Sequence, residues 1–343
     1  MRVAIVGATG AVGQEFLALL AERSFPLATL RLFASPRSAG QTRTFAGEAI
    51  TLEMLPDDGD LGADVVFSSA GGSVSKAHAW RWAEHGAVVI DNTSAWRLDE
   101  RVPLVVPEIN PEALHHHTGV IANPNCSTII ALMALAPLHR AFGLVRATLA
   151  TYQAVSGAGQ AGIDELDRQS RAVLAGGRAV PQTFEHPIAF NLFSHDSEIG
   201  DDGYNLEERK MLLESRKILT LPGLRLSATC IRVPVFRAHG VAVHAEFERS
   251  VDEDEAGAVL AAAEGVRLVD SRASNTFPMP IEASGRDEVL VGRIRRDASL
   301  DGGLALFVVG DQIRKGAALN AVQIGEALGA PRPAAVRATP TAA

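Results

Sequence analysis

The chain has 343 residues, 47% of them hydrophobic, which supplies a large core and exceeds the usual size of one domain, so two domains are expected. Its formal net charge is -8 with acidic and basic residues interspersed, which argues against a nucleic-acid partner and leaves small anions to a few local arginines. Two cysteines argue against a disulfide framework or a four-cysteine zinc site, and no apolar run is long enough to span a bilayer, so no membrane partner is expected.

The N-terminus shows no secretory pattern, and a soluble protein of the reducing cytoplasm is expected. Residues 3–6 read as an apolar strand buried on both faces of a parallel sheet. The strand runs into Gly7-Ala8-Thr9-Gly10-Ala11-Val12-Gly13 and then an amphipathic helix. Glycines 7, 10 and 13 permit a tight turn and close approach of a pyrophosphate to the helix start. Strand, glycines and helix in that order point to dinucleotide binding rather than a merely structural turn. A second strand at 30–34 ends in Ser35-Pro36-Arg37-Ser38. An acidic residue here would suit the ribose hydroxyls of NAD, whereas hydroxyls and a guanidinium suit a 2′-phosphate, so NADP is the expected cofactor; the alternative is that Arg37 is a solvated loop residue.

A strand at 64–69 ends in a small-residue loop with Ser69, Ala70 and Gly71, where the cofactor crevice of a doubly wound sheet belongs. A helix is expected over 76–84, and strands at 87–90, 104–106 and 120–122. His115, His116 and His117 diverge as neighbours do and read as an exposed turn, so no metal site is expected. The last of these strands leads to Asn125-Cys126, with an apolar helix from Ile129. A thiol at a helix start meets unpaired N–H groups that favour the thiolate, and Cys126 is either a nucleophile or a buried hydrophobe.

From Arg146 the pattern changes. Strands are expected at 146–155, 226–235, 240–248, 289–296 and 304–311, with helices at 161–174 and 206–219. On the second helix Glu207 and Lys210 are one turn apart. These strands suggest an extended mixed or antiparallel sheet with one exposed face, and a homodimer formed through that face is expected. Cys230, in mid-strand, reads as a structural thiol. A helix at 316–328 is expected to return to the first domain. From Pro331 the Ala-, Pro- and Thr-rich end reads as disordered.

Taken with Asn123-Pro124-Asn125-Cys126-Ser127-Thr128, Tyr152-Gln153-Ala154-Val155-Ser156-Gly157-Ala158-Gly159, Glu207-Glu208-Arg209-Lys210, Arg232-Val233-Pro234-Val235 with His239, and Arg314-Lys315-Gly316-Ala317-Ala318-Leu319-Asn320, the sequence resembles the aspartate-β-semialdehyde dehydrogenase family over essentially its whole length. The resemblance implies an α/β chain. Its N-terminal Rossmann-like dinucleotide-binding domain (1–127) is completed by a C-terminal helix (315–330), and an α+β catalytic and dimerisation domain (128–314) carries the large mixed sheet, with a disordered tail at 331–343. It implies phosphate-dependent, NADP-dependent interconversion of L-aspartate 4-semialdehyde and 4-phospho-L-aspartate in amino-acid biosynthesis. Cys126 would be the nucleophile, His239 the acid/base, and Gln153 would position the acyl intermediate. Glu207 and Arg232 would hold the substrate's amino and carboxylate groups, while Arg97, Asn125 and Lys210 surround inorganic phosphate. Cofactor contacts would come from Gly7, Thr9, Gly10, Ala11, Val12, Gly13, Ser35, Arg37, Ser38, Ser69, Ala70, Gly71, Gly157 and Asn320. Asp311-Gln312 and Trp96 depart mildly from the family pattern and remove no catalytic group. The alternatives are an acyl-phosphate reductase for another semialdehyde and a silent NADP-binding regulator.

Overall fold

A computed structural model describes residues 1–329. The expected disordered tail at 331–343, and residue 330 of the expected last helix, lie outside the described residues. β1 (Arg2–Val6) is buried along nearly its whole length, as an inner strand must be, and α1 (Ala11–Glu22) follows at once. β2 (Thr29–Phe33) lies beside β1, and β3 (Thr42–Phe45) and β4 (Glu48–Glu53) form a hairpin whose β4 runs parallel to β2. β5 (Val65–Ser68), α2 (Gly72–Glu84), β6 (Val88–Asp91) and β7 (Val120–Ala122) complete a seven-stranded sheet of order β3-β4-β2-β1-β5-β6-β7, parallel except for β3.

α3 (Cys126–Phe142) carries the chain to β8 (Leu144–Gln153), α4 (Gln160–Leu174), β9 (Phe193–Ser194), α5 (Leu206–Ile218), β10 (Arg225–Arg232) and β11 (His239–Phe247). α6 (Glu253–Ala261), β12 (Val266–Leu268), α7 (Pro280–Ala283), β13 (Val289–Arg296) and β14 (Leu304–Gly310) follow. The second sheet has the order β12-β13-β14-β11-β8-β10-β9 and is mixed, with β8–β10 and β12–β13 parallel. β8 and β10 alternate between buried and accessible side chains, whereas β14 is buried almost throughout. α3, α5 and α6 cover one face, and the single chain leaves Thr148, Tyr152, Ser227 and Thr229 accessible on the other. α8 (Leu319–Gly329) returns to the first sheet, where Leu319, Val322 and Ile324 join Val3, Ile5 and Phe16 in one core.

Local differences from the sequence reading have physical causes. Residues 104–106 are not a strand: only Leu104 bridges Ala122. The Asn110 amide instead accepts from Val106 N–H at 2.9 Å and donates to the Leu104 carbonyl at 2.9 Å. β10 stops at Arg232 because Pro234 has no N–H to continue a ladder. α2 begins at Gly72 rather than Lys76, its small first turn reading as loop. The β3–β4 hairpin is mostly accessible and carries little apolar alternation to announce it. Ahead of α8, Arg314–Ala318 form a π-helical turn. His115 and His116 are exposed on a short 3₁₀ turn, Pro111–His116.

Candidate active site

Strand register assembles the site. β8 and β10 pair in parallel with Gln153 opposite Arg232, and β11 pairs with β8 so that Gly240 faces Tyr152. The last residue of β8, the last of β10 and the first of β11, namely Gln153, Arg232 and His239, therefore stand together at one end of the second sheet. α3 delivers Cys126 and the first turn of α5 delivers Glu207 and Lys210. All of these, with Arg97 and Asn125, line one cleft of about 400 Å³.

Asn125 is the N-cap of α3. Its Oδ1 accepts from Ser127 N–H at 3.0 Å and Thr128 N–H at 3.1 Å, and its Nδ2 donates to Glu207 Oε1 at 2.8 Å. The expectation that free N–H groups favour the Cys126 thiolate is thereby corrected, because the cap spends two of them. Burial and then the Glu207 charge push the thiol up to about 11. Glu207 also accepts from Gln153 Nε2 at 3.0 Å and Lys210 Nζ at 3.0 Å. Burial opposes its ionisation, but Lys210 and the other donors hold its carboxyl at about 2. Gln153 donates further to Ser127 Oγ at 2.6 Å, leaving its own Oε1 buried without a partner among the described residues.

Arg97 is tied at three nitrogens: Nε to the Asn123 carbonyl at 2.9 Å, Nη1 to Glu214 Oε1 at 3.1 Å and Nη2 to the Asn92 carbonyl at 3.1 Å. Glu214, 1% exposed, accepts from Asn125 N–H at 2.6 Å through its other oxygen, so one carboxylate ties the arginine to the cap of the Cys126 helix. His239 is completely buried, and its Nδ1 accepts from Ala154 N–H at 3.0 Å. A neutral ring so held carries its proton on Nε2, which has no hydrogen-bond partner among the described residues. Burial and then Arg232 lower this histidine to about 3. The preceding residue, Ala238, has φ +72, a conformation held by Gln312, whose Oε1 accepts the Ala238 N–H at 2.8 Å.

His195, Asp196 and Glu214 escaped sequence reasoning. Glu214 had a usable signal, since it lies seven residues after Glu207 and four after Lys210 on one helical face. His195 and Asp196 had none, because the short β9 that places them pairs with only two residues of β10.

The expected cofactor residues divide. The Gly7–Gly13 turn, Ser69 and Ala70 meet: a Cβ on Gly7, at φ +89, would fall 2.9 Å from the Ser69 carbonyl, and one on Gly13 would fall 2.3 Å from the Gly7 oxygen. No side chain caps α1 at Gly10, so its first N–H groups suit a pyrophosphate. Ser35, Arg37 and Ser38 follow β2, whose Phe33 carbonyl accepts from the N–H of Gly7 and of Ala8. Gly157 lines the cleft that holds Cys126, where a Cβ would come 2.8 Å from Arg232 Nη1 and 3.6 Å from His239 Nε2. Asn320 is fully buried, its amide spent on Lys315 Nζ, the Val105 carbonyl and Asn123 Oδ1.

Residues 2–117 match the family described as semialdehyde dehydrogenase, NAD binding domain, and residues 135–315 match semialdehyde dehydrogenase, dimerisation domain. Aspartate-semialdehyde dehydrogenase of Synechocystis sp. is 52% identical, with 96% of this chain and 97% of the relative covered. The chain belongs to the aspartate-semialdehyde dehydrogenase family. Among solved structures, aspartate semialdehyde dehydrogenase II of Vibrio cholerae complexed with ASA superposes with a TM-score of 0.92 at 45% identity, covering 96% of this chain and 98% of that one. Aspartate semialdehyde dehydrogenase with NADP from Candida albicans superposes at 0.75 with 25% identity, covering 96% and 98%. In aspartate-semialdehyde dehydrogenase terms, the first sheet is the NAD-binding fold and the second the dimerisation fold, with Cys126 between the two matched stretches.

Proposed function

We propose that the protein interconverts L-aspartate 4-semialdehyde and 4-phospho-L-aspartate, dependent on NADP and inorganic phosphate, through a thioester on Cys126. The convergence of Cys126, His239, Gln153, Glu207, Arg232, Arg97, Asn125 and Lys210 on one cleft carries the reading. Sγ of Cys126 bonds to the aldehyde carbon as the thiol proton passes to the carbonyl oxygen, giving a tetrahedral hydroxyl adduct that becomes a thioester by losing hydride from carbon and the proton from oxygen. When bound, NADP supplies the hydride acceptor in this direction and the donor in the reverse. A phosphate oxygen then attacks the thioester carbon, the C–S bond breaks, and the acyl phosphate leaves.

The thiol held at about 11 implies that its proton departs as the C–S bond forms, not beforehand. His239 Nε2–H is available to the oxygen of the adduct as that oxygen gains charge. To take a proton from the cleft through Nε2, the ring must first release the Ala154 N–H. Arg232 suits the substrate carboxylate by its forked geometry, Glu207 the ammonium, and Arg97 with Asn125 and Lys210 the phosphate. The uncapped α1 and the glycine turn fit the cofactor pyrophosphate, with Arg37 toward a 2′-phosphate; the NADP in the Candida albicans relative supports that assignment. Residues 1–127 with the last helix then form the cofactor domain and 128–314 the catalytic and dimerisation domain. A cytoplasmic homodimer formed through the accessible face of the second sheet completes the reading, which places the protein in lysine, threonine, methionine and isoleucine biosynthesis.

The test is turnover with aspartate 4-semialdehyde, with and without phosphate and with NADP or NAD in parallel, for the native chain and Cys126→Ser. The native protein should reduce NADP only when phosphate is present, and the variant should lose about 10⁴-fold or more, the scale of losing a covalent nucleophile. Activity confined to another semialdehyde would change the substrate, and full activity in the variant would remove the thioester.

A further inference from the structure

Arg232 presents an unequal fork to the cleft. Its Nη1 donates to the Ala154 carbonyl at 3.0 Å, and the Phe184 ring covers the guanidinium at 5.6 Å. The remaining edge, Nε with Nη2, is the kind of edge that grips a carboxylate with two parallel hydrogen bonds. On that edge Nε is buried and has no hydrogen-bond partner among the described residues. Nη2 is engaged twice, by His195 Nε2 at 3.0 Å and by Asp196 Oδ1 at 3.1 Å. A carboxylate of the chain therefore occupies half of the fork.

The segment after β9 is fastened beneath this contact. His195 N–H donates to the Cys230 carbonyl at 2.8 Å, and Ser197 Oγ accepts from Glu207 N–H at 3.2 Å. The Asp196 side chain itself is loosely held. Among the described residues its one ion-pair partner besides Arg232 is His195, whose Nδ1 lies 3.7 Å away and whose charge burial disfavours, and it remains 27% exposed where it lines the cleft. Arg232 is only 4% exposed, and a guanidinium buried so deeply needs a counter-charge when no ligand is present. Asp196 supplies it from a position that can swing into solvent.

We propose that Asp196 is a place-holder for the substrate carboxylate on Arg232, displaced as substrate docks, and that this exchange sets the affinity of the cleft for carboxylate-bearing semialdehydes. The proposal rests on Arg232 taking the substrate carboxylate. Docking then trades one carboxylate for another, so the net gain is the difference between two ion pairs. An analogue lacking the carboxylate displaces nothing and gains nothing from Arg232, so the exchange moderates the affinity of the cleft for carboxylates without lowering the rate of the bound complex.

The experiment uses the full chain with Asp196→Asn and, as a second variant, Asp196→Ala. Substrate saturation is followed with aspartate 4-semialdehyde, and succinate, a carboxylate without an ammonium group, is titrated calorimetrically so that one readout needs no turnover. KM for the semialdehyde should fall roughly threefold to tenfold, the span for losing a partly exposed competing ion pair, with kcat and the KM values for phosphate and NADP unchanged. Succinate should bind tighter by a similar factor. A rise in KM with weaker succinate binding would make Asp196 a support for Arg232, and a rise with succinate unchanged would make it the ammonium site; either overturns the exchange. Native protein inert toward aspartate semialdehyde would defeat the substrate reading, while the succinate titration would still decide the exchange.

Discussion

In the cleft around Cys126, Glu207 is gripped by Asn125, Gln153 and Lys210, and Arg97 by Glu214 and two carbonyls, whereas past the end of β2 Ser35 and Arg37 are exposed. Among the described residues Arg37 has neither a hydrogen-bond nor an ion-pair partner. The two ends of the proposed reaction path thus meet charge differently. Groups that would face a reacting acyl centre are fixed in advance by one another, so their geometry costs no reorganisation during the reaction. The group that would choose between cofactors stands free and can change without disturbing the fold.

Glu214→Gln breaks the first half of that contrast. The substitution keeps the shape but removes the charge opposite Arg97, and whichever way the amide turns it leaves Arg97 or Asn125 N–H poorly matched. Removing one partner of so buried a pair should cost roughly 3 kcal/mol in urea unfolding. KM for phosphate should rise about tenfold with the semialdehyde KM moving less, the pattern of a displaced phosphate group. Stability and phosphate KM both unchanged would show that Arg97 is placed without Glu214.

Arg37→Ala probes the other half. KM for NADP should rise about tenfold, the worth of one charge-assisted contact, while NAD kinetics stay as they were. Unfolding free energy should move by less than about 0.5 kcal/mol, as for an unpartnered surface residue. Equal losses with NADP and NAD would assign Arg37 no part in the choice.

The same contrast explains what could be read before the fold was known. The glycine turn, the apolar parallel strands and the helix carrying Glu207 and Lys210 declare themselves locally, through periodicity and turn chemistry. Gln153, Arg232 and His239 end up side by side because of long-range register between strands far apart in the chain, which the family resemblance supplied and periodicity could not. Asp196 depends on a two-residue strand, and the inward turn of the Asn320 amide depends on Lys315 lying buried beside it. The electrostatics were the least legible part. A helix start suggests a reactive thiolate, but burial and the neighbouring Glu207 outweigh it at Cys126.

That last point predicts how stability should vary with pH, an effect built up a unit at a time. His239 titrates near 6.5 in an unfolded chain and at about 3 in the fold, where burial and Arg232 disfavour its charge. Burial lowers His195 in the same direction. Between those values the unfolded chain binds the extra proton, so the contribution is complete above pH 6.5 and is lost as pH falls, by about 1.4 kcal/mol per unit for one such histidine. Glu207, depressed from 4.5 to about 2, adds its loss only below pH 4.5. Cys126 and Cys230 run the other way: the fold raises them from 9.0 to about 11 and about 12, so stability they support below pH 9 fades as the unfolded thiols ionise. Urea midpoints measured every half unit should therefore form a plateau from about pH 6.5 to 9 with a decline on each side. His239→Asn should flatten the limb between pH 6.5 and 4.5 while leaving the alkaline limb in place. An acid limb just as steep in that variant would mean that the imidazole is not held neutral by burial, and that its contact with the Ala154 N–H does not persist in solution.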